Sequence, residues 1–236
     1  MKPAAAELAR RLGLEFSDLA LLGQALVHSS YVNEHPAAGD SNERLEFLGD
    51  AVVSLIVSEE LWRRHPAEDE GSLTTRRAAI VSAPALAGIA DRLGLGSYLL
   101  LGQGARQAGE RSRRSVLAGM FEAVSGAIYL EFGLADTRRW LLEVAAPELD
   151  AGRAVASLKA PKSVLQELCI ARGQGAPRYR VVSQAGPAHE RRYVVEVTVG
   201  GVALGLGEGR SRRAAETAAA KQALGALEAP HELAVE

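Results

Sequence analysis

Near residue 150 the hydrophobic pattern changes its period, so the chain must build two different kinds of packed layer. Before that point apolar residues recur at three- and four-residue spacing and break where Gly, Pro or Asp cluster, which specifies helices. The expected helices cover 4–12, 19–28, 42–65, 72–93, 114–132 and 135–145, with no strand among them. Beyond it, 161–172 is still helical, but PRYRVVSQ, RRYVVEVTV and VALGLGEG are alternating β-branched runs separated by AGPAHE and GG. These are three antiparallel strands. An alanine-rich helix follows over 211–227, with Ser211 as its N-cap. Between the two textures PELDAGRAVASLKAP loses the amphipathic period and reads as a linker. The fold class is therefore α+β multidomain: an all-α domain at 1–150, a linker at 151–158, an α-β-β-β-α domain at 159–229 and a tail at 230–236.

A chain of 236 residues that is 47% hydrophobic can give each domain a core. Its beginning carries no apolar run bounded by a small-residue cleavage site, and no later stretch approaches the roughly 20 apolar residues of a bilayer span. The expectation is a cytoplasmic protein with no membrane partner. One cysteine, Cys169, excludes an intramolecular disulfide and a cysteine zinc site. Helical apolar spacing around it makes it a small core residue. The net charge of −2 hides an asymmetry: residues 157–229 hold 11 Lys+Arg against 6 Asp+Glu, or +5, and the rest hold 16 against 23, or −7. The second part suits a polyanion. The G-x-G at 102–104 follows no strand and has no third glycine, so no dinucleotide site is expected. Arg111, Arg113 and Arg114 read equally as phosphate contacts or as a solvated loop.

The stretch SNERLEFLGDAVVSLIVSEELW places Glu43, Glu46 and Asp50 at i, i+3 and i+7, on one helical face that continues into apolar residues. An acid on a core-facing stripe is expensive unless paired or bound to a cation. Two readings stand. The acids cap the helix and pair with arginines, Asp40 and Glu43 forming a capping box, or they collect a metal. Glu122, in the small and apolar run SVLAGMFEAVSGAIYLEFG, is a second acid in a core-like context. Acids from two helices can supply hard oxygen ligands to Mg²⁺, whereas the Glu-x-x-His motifs of a di-iron bundle are absent.

At these residues the chain closely resembles ribonuclease III. Asn42-Glu43-Arg44-Leu45-Glu46-Phe47-Leu48-Gly49-Asp50 resembles that family's signature, and His28-Ser29-Ser30-Tyr31 the segment before it. The likeness continues through SLTTRRAAIVS, RLGLGSYLLLG and FEAVSGAIYLEFG into the second domain. The resemblance implies a ribonuclease III nuclease domain that hydrolyses double-stranded RNA in ribosomal and other RNA processing, leaving short duplexes with 5′-phosphates, 3′-hydroxyls and staggered ends. It implies Glu46 and Glu122 as ligands of Mg²⁺, for which Mn²⁺ substitutes. Asp50 would join the metal site and position or activate the attacking water, and Glu43 would lie near a homodimer interface. One departure falls in the site: Gly119 stands where the family usually has Asp, three residues before the second-helix Glu. The rival to an active nuclease is therefore a duplex-binding protein whose cleavage is impaired at Gly119. A third reading is a helical scaffold whose buried acids are structural.

The terminal segment resembles the double-stranded-RNA-binding domain. Such a domain reads 2′-hydroxyls across the minor groove and phosphates across the major groove. By resemblance Gln166 and Glu167 face 2′-hydroxyls, His189 in Gly186-Pro187-Ala188-His189 enters the next minor groove, and Arg210, Arg212 and Arg213 meet phosphates at the last helix. Arginines stand here where the family usually has lysines. Lys221 reads as a solvated side chain.

Overall fold

A computed structural model describes residues 2–151, 158, 160–187 and 190–228. The chain divides into two compact units, Met1–Arg153 and Ala154–Glu236. The first contains α1 (Lys2–Leu12), α2 (Ala20–Ala25), α3 (Ser29–Glu34), α4 (Glu43–Arg64), α5 (Glu70–Ile80), α6 (Ala83–Leu93), α7 (Gln103–Gln107), α8 (Arg114–Val144) and α9 (Ala146–Leu149). Among the described residues of this unit the only strand-like pairing is one isolated bridge, Val27 with Leu100.

The core is centred on α4 against α8. Leu45, Gly49, Val52, Val53, Ile56 and Val57 form the buried side of α4, and Met120, Phe121, Ala123, Val124, Ala127 and Ile128 that of α8. Two glycines set the approach. A methyl group on Gly49 would collide with the backbone carbonyl of Glu122, and one on Gly126 with that of Leu45. With no Cβ at either point, the helices meet backbone to backbone, as small residues allow.

α8 contains an 18-residue window of mean hydropathy 1.3, so it is long and apolar enough to cross a membrane by length and composition. That is more apolar than the sequence reading allowed. Most of the window is buried within the unit, which makes α8 a core helix. It is also two helices joined at Gly133, whose φ of 75° interrupts the helix in the gap left between 114–132 and 135–145.

Two expectations need correction. The single helix over 72–93 is α5 and α6: Val81 and Ser82 leave the helix, and Ser82 Oγ accepts the Ala85 N–H at 3.4 Å with Pro84 in the first turn. Serine followed by proline is a helix start that an unbroken apolar period conceals. The capping box from Asp40 does not form. The N-cap of α4 is Asn42, buried, with its N–H donated to Val27 O at 2.8 Å, which puts Glu43 at the first helical position, too early to reach back.

The second unit is α10 (Pro161–Ala171), β1 (Arg178–Ala185), β2 (Arg192–Val199), β3 (Val202–Gly209) and α11 (Arg212–Glu228). The strands form an antiparallel sheet in the order β1-β2-β3. Gly200 and Gly201, with φ of 59° and 88°, make the tight turn between β2 and β3, the positive-φ pair that a two-residue hairpin needs. Gly205, Gly207 and Gly209 of β3 lie under α11, where a Cβ on Gly205 would stand 2.6 Å from Ala219 O. Ala215, Ala219, Ala220 and Ala223 are fully buried in return. Cys169 joins this core, as its spacing suggested.

Gly49→Ala should destabilise the first unit by about 3 kcal/mol or prevent its folding, since backbone must move on both sides. Gly104→Ala, with nothing within 4 Å of the new methyl, should change stability by less than about 1 kcal/mol. Urea unfolding of both variants measures the contrast.

Candidate active site and nucleic-acid interface

The α4–α8 crossing determines where the acids stand. Leu45 and Gly49 enter the core, so Glu46 and Asp50, each one residue on, fall at its rim: Glu46 is half-buried, Asp50 exposed and Glu43 exposed. At 100° per residue the acid row borders the apolar stripe and does not run down it, which corrects the expectation of acids on the core-facing stripe. Glu122 is half-buried on the α8 side of the same crossing.

These carboxylates act on one another. Burial, followed by the charges of Asp50 and Glu46, pushes Glu122 up to about 7. Burial also raises Glu46, with Glu43 and Asp50 adding to the effect and His28 opposing it. Among the described residues no arginine or lysine is ion-paired with Glu46, Asp50 or Glu122. Asp50 accepts a long hydrogen bond from Ser54 Oγ, 3.5 Å away, and Glu43 accepts one from Ser41 Oγ at 3.1 Å. The arginine-pairing reading thus fails for the acids nearest α8. As the side chains lie, no three His, Cys, Asp or Glu groups among the described residues converge to hold an ion. The donor set nevertheless suits Mg²⁺: hard oxygens with uncompensated negative charge, for an ion that needs only one or two carboxylates and completes its shell with water and substrate phosphate.

Two contacts that the spacing of the acids does not reveal belong here. Glu46 lays its carboxylate against Gly119, within 2.7 Å of where a Cβ would stand. His28 caps α3, its Nδ1 accepting the Ser30 N–H at 3.2 Å, and its ring lies close enough to Glu46 to act on that carboxylate's proton affinity. No sequence spacing links residues 28, 46 and 119.

The loop arginines divide. Arg111 donates to Gly96 O, and Arg113 pairs with Glu110 at 2.8 Å. Arg111 is thereby tied into the fold, whereas Arg113 and Arg114 are exposed, as either reading of the loop allows.

In the second unit Gln166 and Glu167 are exposed on α10, and Arg210, Arg212 and Arg213 are exposed around the start of α11. Ser211 Oγ accepts the Ala214 N–H at 3.2 Å, the expected N-cap. Arg212 bonds Glu216 at 3.0 Å, and Lys162 of α10 bonds the same carboxylate at 2.6 Å while lying 4.6 Å from the centre of the Tyr179 ring. The Lys162 hydrogen bond, assisted by Arg212, holds Glu216 below the usual carboxylate range. Glu216 thus joins the beginnings of α10 and α11, a link 54 residues long that the sequence reading missed. His189 lies outside the described residues. Its neighbour Gly186 has a φ of 92°.

Comparison with known proteins covers both units. The family described as Ribonuclease-III-like matches residues 18–149, and the Double-stranded RNA binding motif matches 161–227. Ribonuclease 3 of Bacillus cereus is 46% identical over 215 residues, 91% of this chain and 87% of that protein, and ribonuclease 3 of Bacillus anthracis gives the same figures. A solved nuclease domain of ribonuclease III from Campylobacter jejuni, described as flexible in the region involved in dimer formation, is similar with a TM-score of 0.57 and 36% identity. It covers 61% of this chain and 97% of that one.

If burial and like charge raise Glu122 as described, its contribution to stability is present in full below about pH 4.5 and is lost as pH rises through about 7. In chelator, Glu122→Gln should therefore melt higher than the parent at about pH 8, by about 1–2 kcal/mol once solvent screening of a half-exposed group is allowed for. The difference should disappear below about pH 4.5. Thermal melts in EDTA across that range read it.

Proposed function

The chain belongs to the ribonuclease III family, and we propose that it is a double-strand-specific endoribonuclease whose metal site is formed by Glu46 and Glu122 with Asp50. The observation that carries this reading is the acid cluster at the rim of the α4–α8 crossing, in which Glu46 and Glu122 are raised first by burial and then by neighbouring acids, and in which no acid is ion-paired with arginine or lysine among the described residues. A divalent cation offsets that repulsion. Mg²⁺, or Mn²⁺ in its place, would supply Lewis acidity, neutralising charge on the transferring phosphoryl group and acidifying water. Glu46 and Glu122 would hold it from opposite helices. Asp50, more exposed, is suited to orient the attacking water, and hydrolysis leaves a 5′-phosphate and a 3′-hydroxyl. Gly119 removes the acid usual in the family but leaves these three carboxylates, which favours an active nuclease over a protein that only binds.

The proposed domains are 1–150 for the nuclease and 159–229 for duplex binding, joined by 151–158 and followed by a tail at 230–236. Gln166, Glu167 and His189 would read successive minor grooves, with Arg210 and Arg213 on the phosphates between them; Arg212 would exchange Glu216 for phosphate. Such contacts follow duplex shape. Phe47, Leu55 and Trp62 line one flank of α4 and are 82%, 53% and 69% exposed, an apolar surface suited to a homodimer through the nuclease domain, with Glu43 at its edge. The cytoplasm is the proposed compartment; the lone cysteine is buried and needs no oxidising partner.

A cleavage time course on a long perfect RNA duplex tests the reading, run with Mg²⁺, with Mn²⁺ and with chelator. Short duplexes should accumulate with either metal and not with chelator, and Glu122→Ala should lower the rate at least about 100-fold. Tight duplex binding with no cleavage under either metal would reject the nuclease assignment.

A further inference from the structure

In the second unit the exposed Gln166 and Glu167 belong to α10 and the exposed Arg210 and Arg213 to the start of α11, and a side-chain bond joins the two helices. Lys162, one turn before Gln166, donates to Glu216 Oε2 at 2.6 Å, and Glu216 lies one turn into α11. The carboxylate is only 13% exposed, so the pair is not a loosely solvated one. Its other oxygen accepts from Arg212 Nε at 3.0 Å, and the Lys162 ammonium also lies 4.6 Å from the centre of the Tyr179 ring on β1. Beside arginines that meet phosphate, an acid is unfavourable for binding a polyanion. The position of Glu216 therefore calls for another reason.

We infer that Glu216 is a positioning residue whose bond to Lys162 fixes the spacing between the minor-groove face of α10 and the phosphate-binding arginines of α11, and so favours RNA duplexes over DNA duplexes. The inference rests on the duplex-binding reading above. A-form RNA has a wide, shallow minor groove and a deep, narrow major groove, whereas in B-DNA the minor groove is about 6 Å wide and the major groove about 12 Å. The distance from minor-groove edge to the phosphates across the major groove therefore differs between the two. Helices tied at one distance fit one form. Arg212 belongs to the same helix as Glu216, so it can turn to phosphate without releasing the tie to α10.

Binding of the full chain to a perfect RNA duplex and to a DNA duplex of the same length and sequence tests this, in chelator and at one salt concentration. The proteins are the parent, Glu216→Gln, Lys162→Met and the double variant. Glu216→Gln removes a negative charge and Lys162→Met a positive one, so charge alone would tighten the first and weaken the second on both duplexes, leaving the RNA-to-DNA affinity ratio as in the parent. The tie predicts the same change in both: the ratio falls about tenfold in each single variant and no further in the double. A parental ratio in either folded variant, or additive losses in the double, overturns the inference. Circular dichroism at the assay temperature checks the fold, and should Glu216→Gln unfold, Lys162→Met decides by the same ratio. A parent that binds RNA and DNA duplexes equally also overturns it, whereas a parent that binds no RNA duplex defeats the duplex-binding reading and this inference together.

Discussion

The close approach of α4 to α8 underlies the whole first unit. Two backbones can touch only where side chains are missing, and Gly49 and Gly126 supply the two gaps, each facing a carbonyl of the other helix. Once those points are fixed, the rest follows from helical geometry. Glu46 and Asp50 flank Gly49 on α4, and Glu122 provides the carbonyl that Gly49 meets. Acids far apart in sequence reach a common rim because the core beneath them is tight, and burial in that rim raises the proton affinity of Glu122. Packing and electrostatics here have one cause.

That arrangement is unfavourable without a cation. Like charges face one another across the crossing, and arginines of the unit that form ion pairs do so with other acids: Arg64 with Glu60 and Asp150, Arg92 with Glu148, Arg138 with Glu59. A structural role for the acids would call for such partners. The second unit solves a different problem by similar means, with the glycines of β3 admitting the alanines of α11 so that the sheet and helix pack closely. Its polar links then gather at Glu216, which ties Lys162 to Arg212.

What could be read from the sequence was what repeats or matches a pattern. Periodicity located α4, the three strands and α11, and the family signature pointed to Glu46, Asp50 and Glu122. Local chemistry without a period was lost: α3 behind a histidine cap, and the α5–α6 break at Ser82 and Pro84. Contacts between distant residues were lost as well. The contact of Glu46 with Gly119, the bond from Lys162 to Glu216 and the tie from Arg111 to Gly96 depend on the packed chain and leave no spacing to detect. Gly119 was visible as a departure from the family, but its neighbour was not.

The central claim is that the α4–α8 crossing brings carboxylates from both helices to one cation. Crystals of the full chain soaked in Mn²⁺, with data collected for anomalous scattering from manganese, test it most directly. A peak touching both Glu46 of α4 and Glu122 of α8 is expected. Manganese bound by acids of one helix alone, or located away from the crossing with both carboxylates ordered, would contradict it.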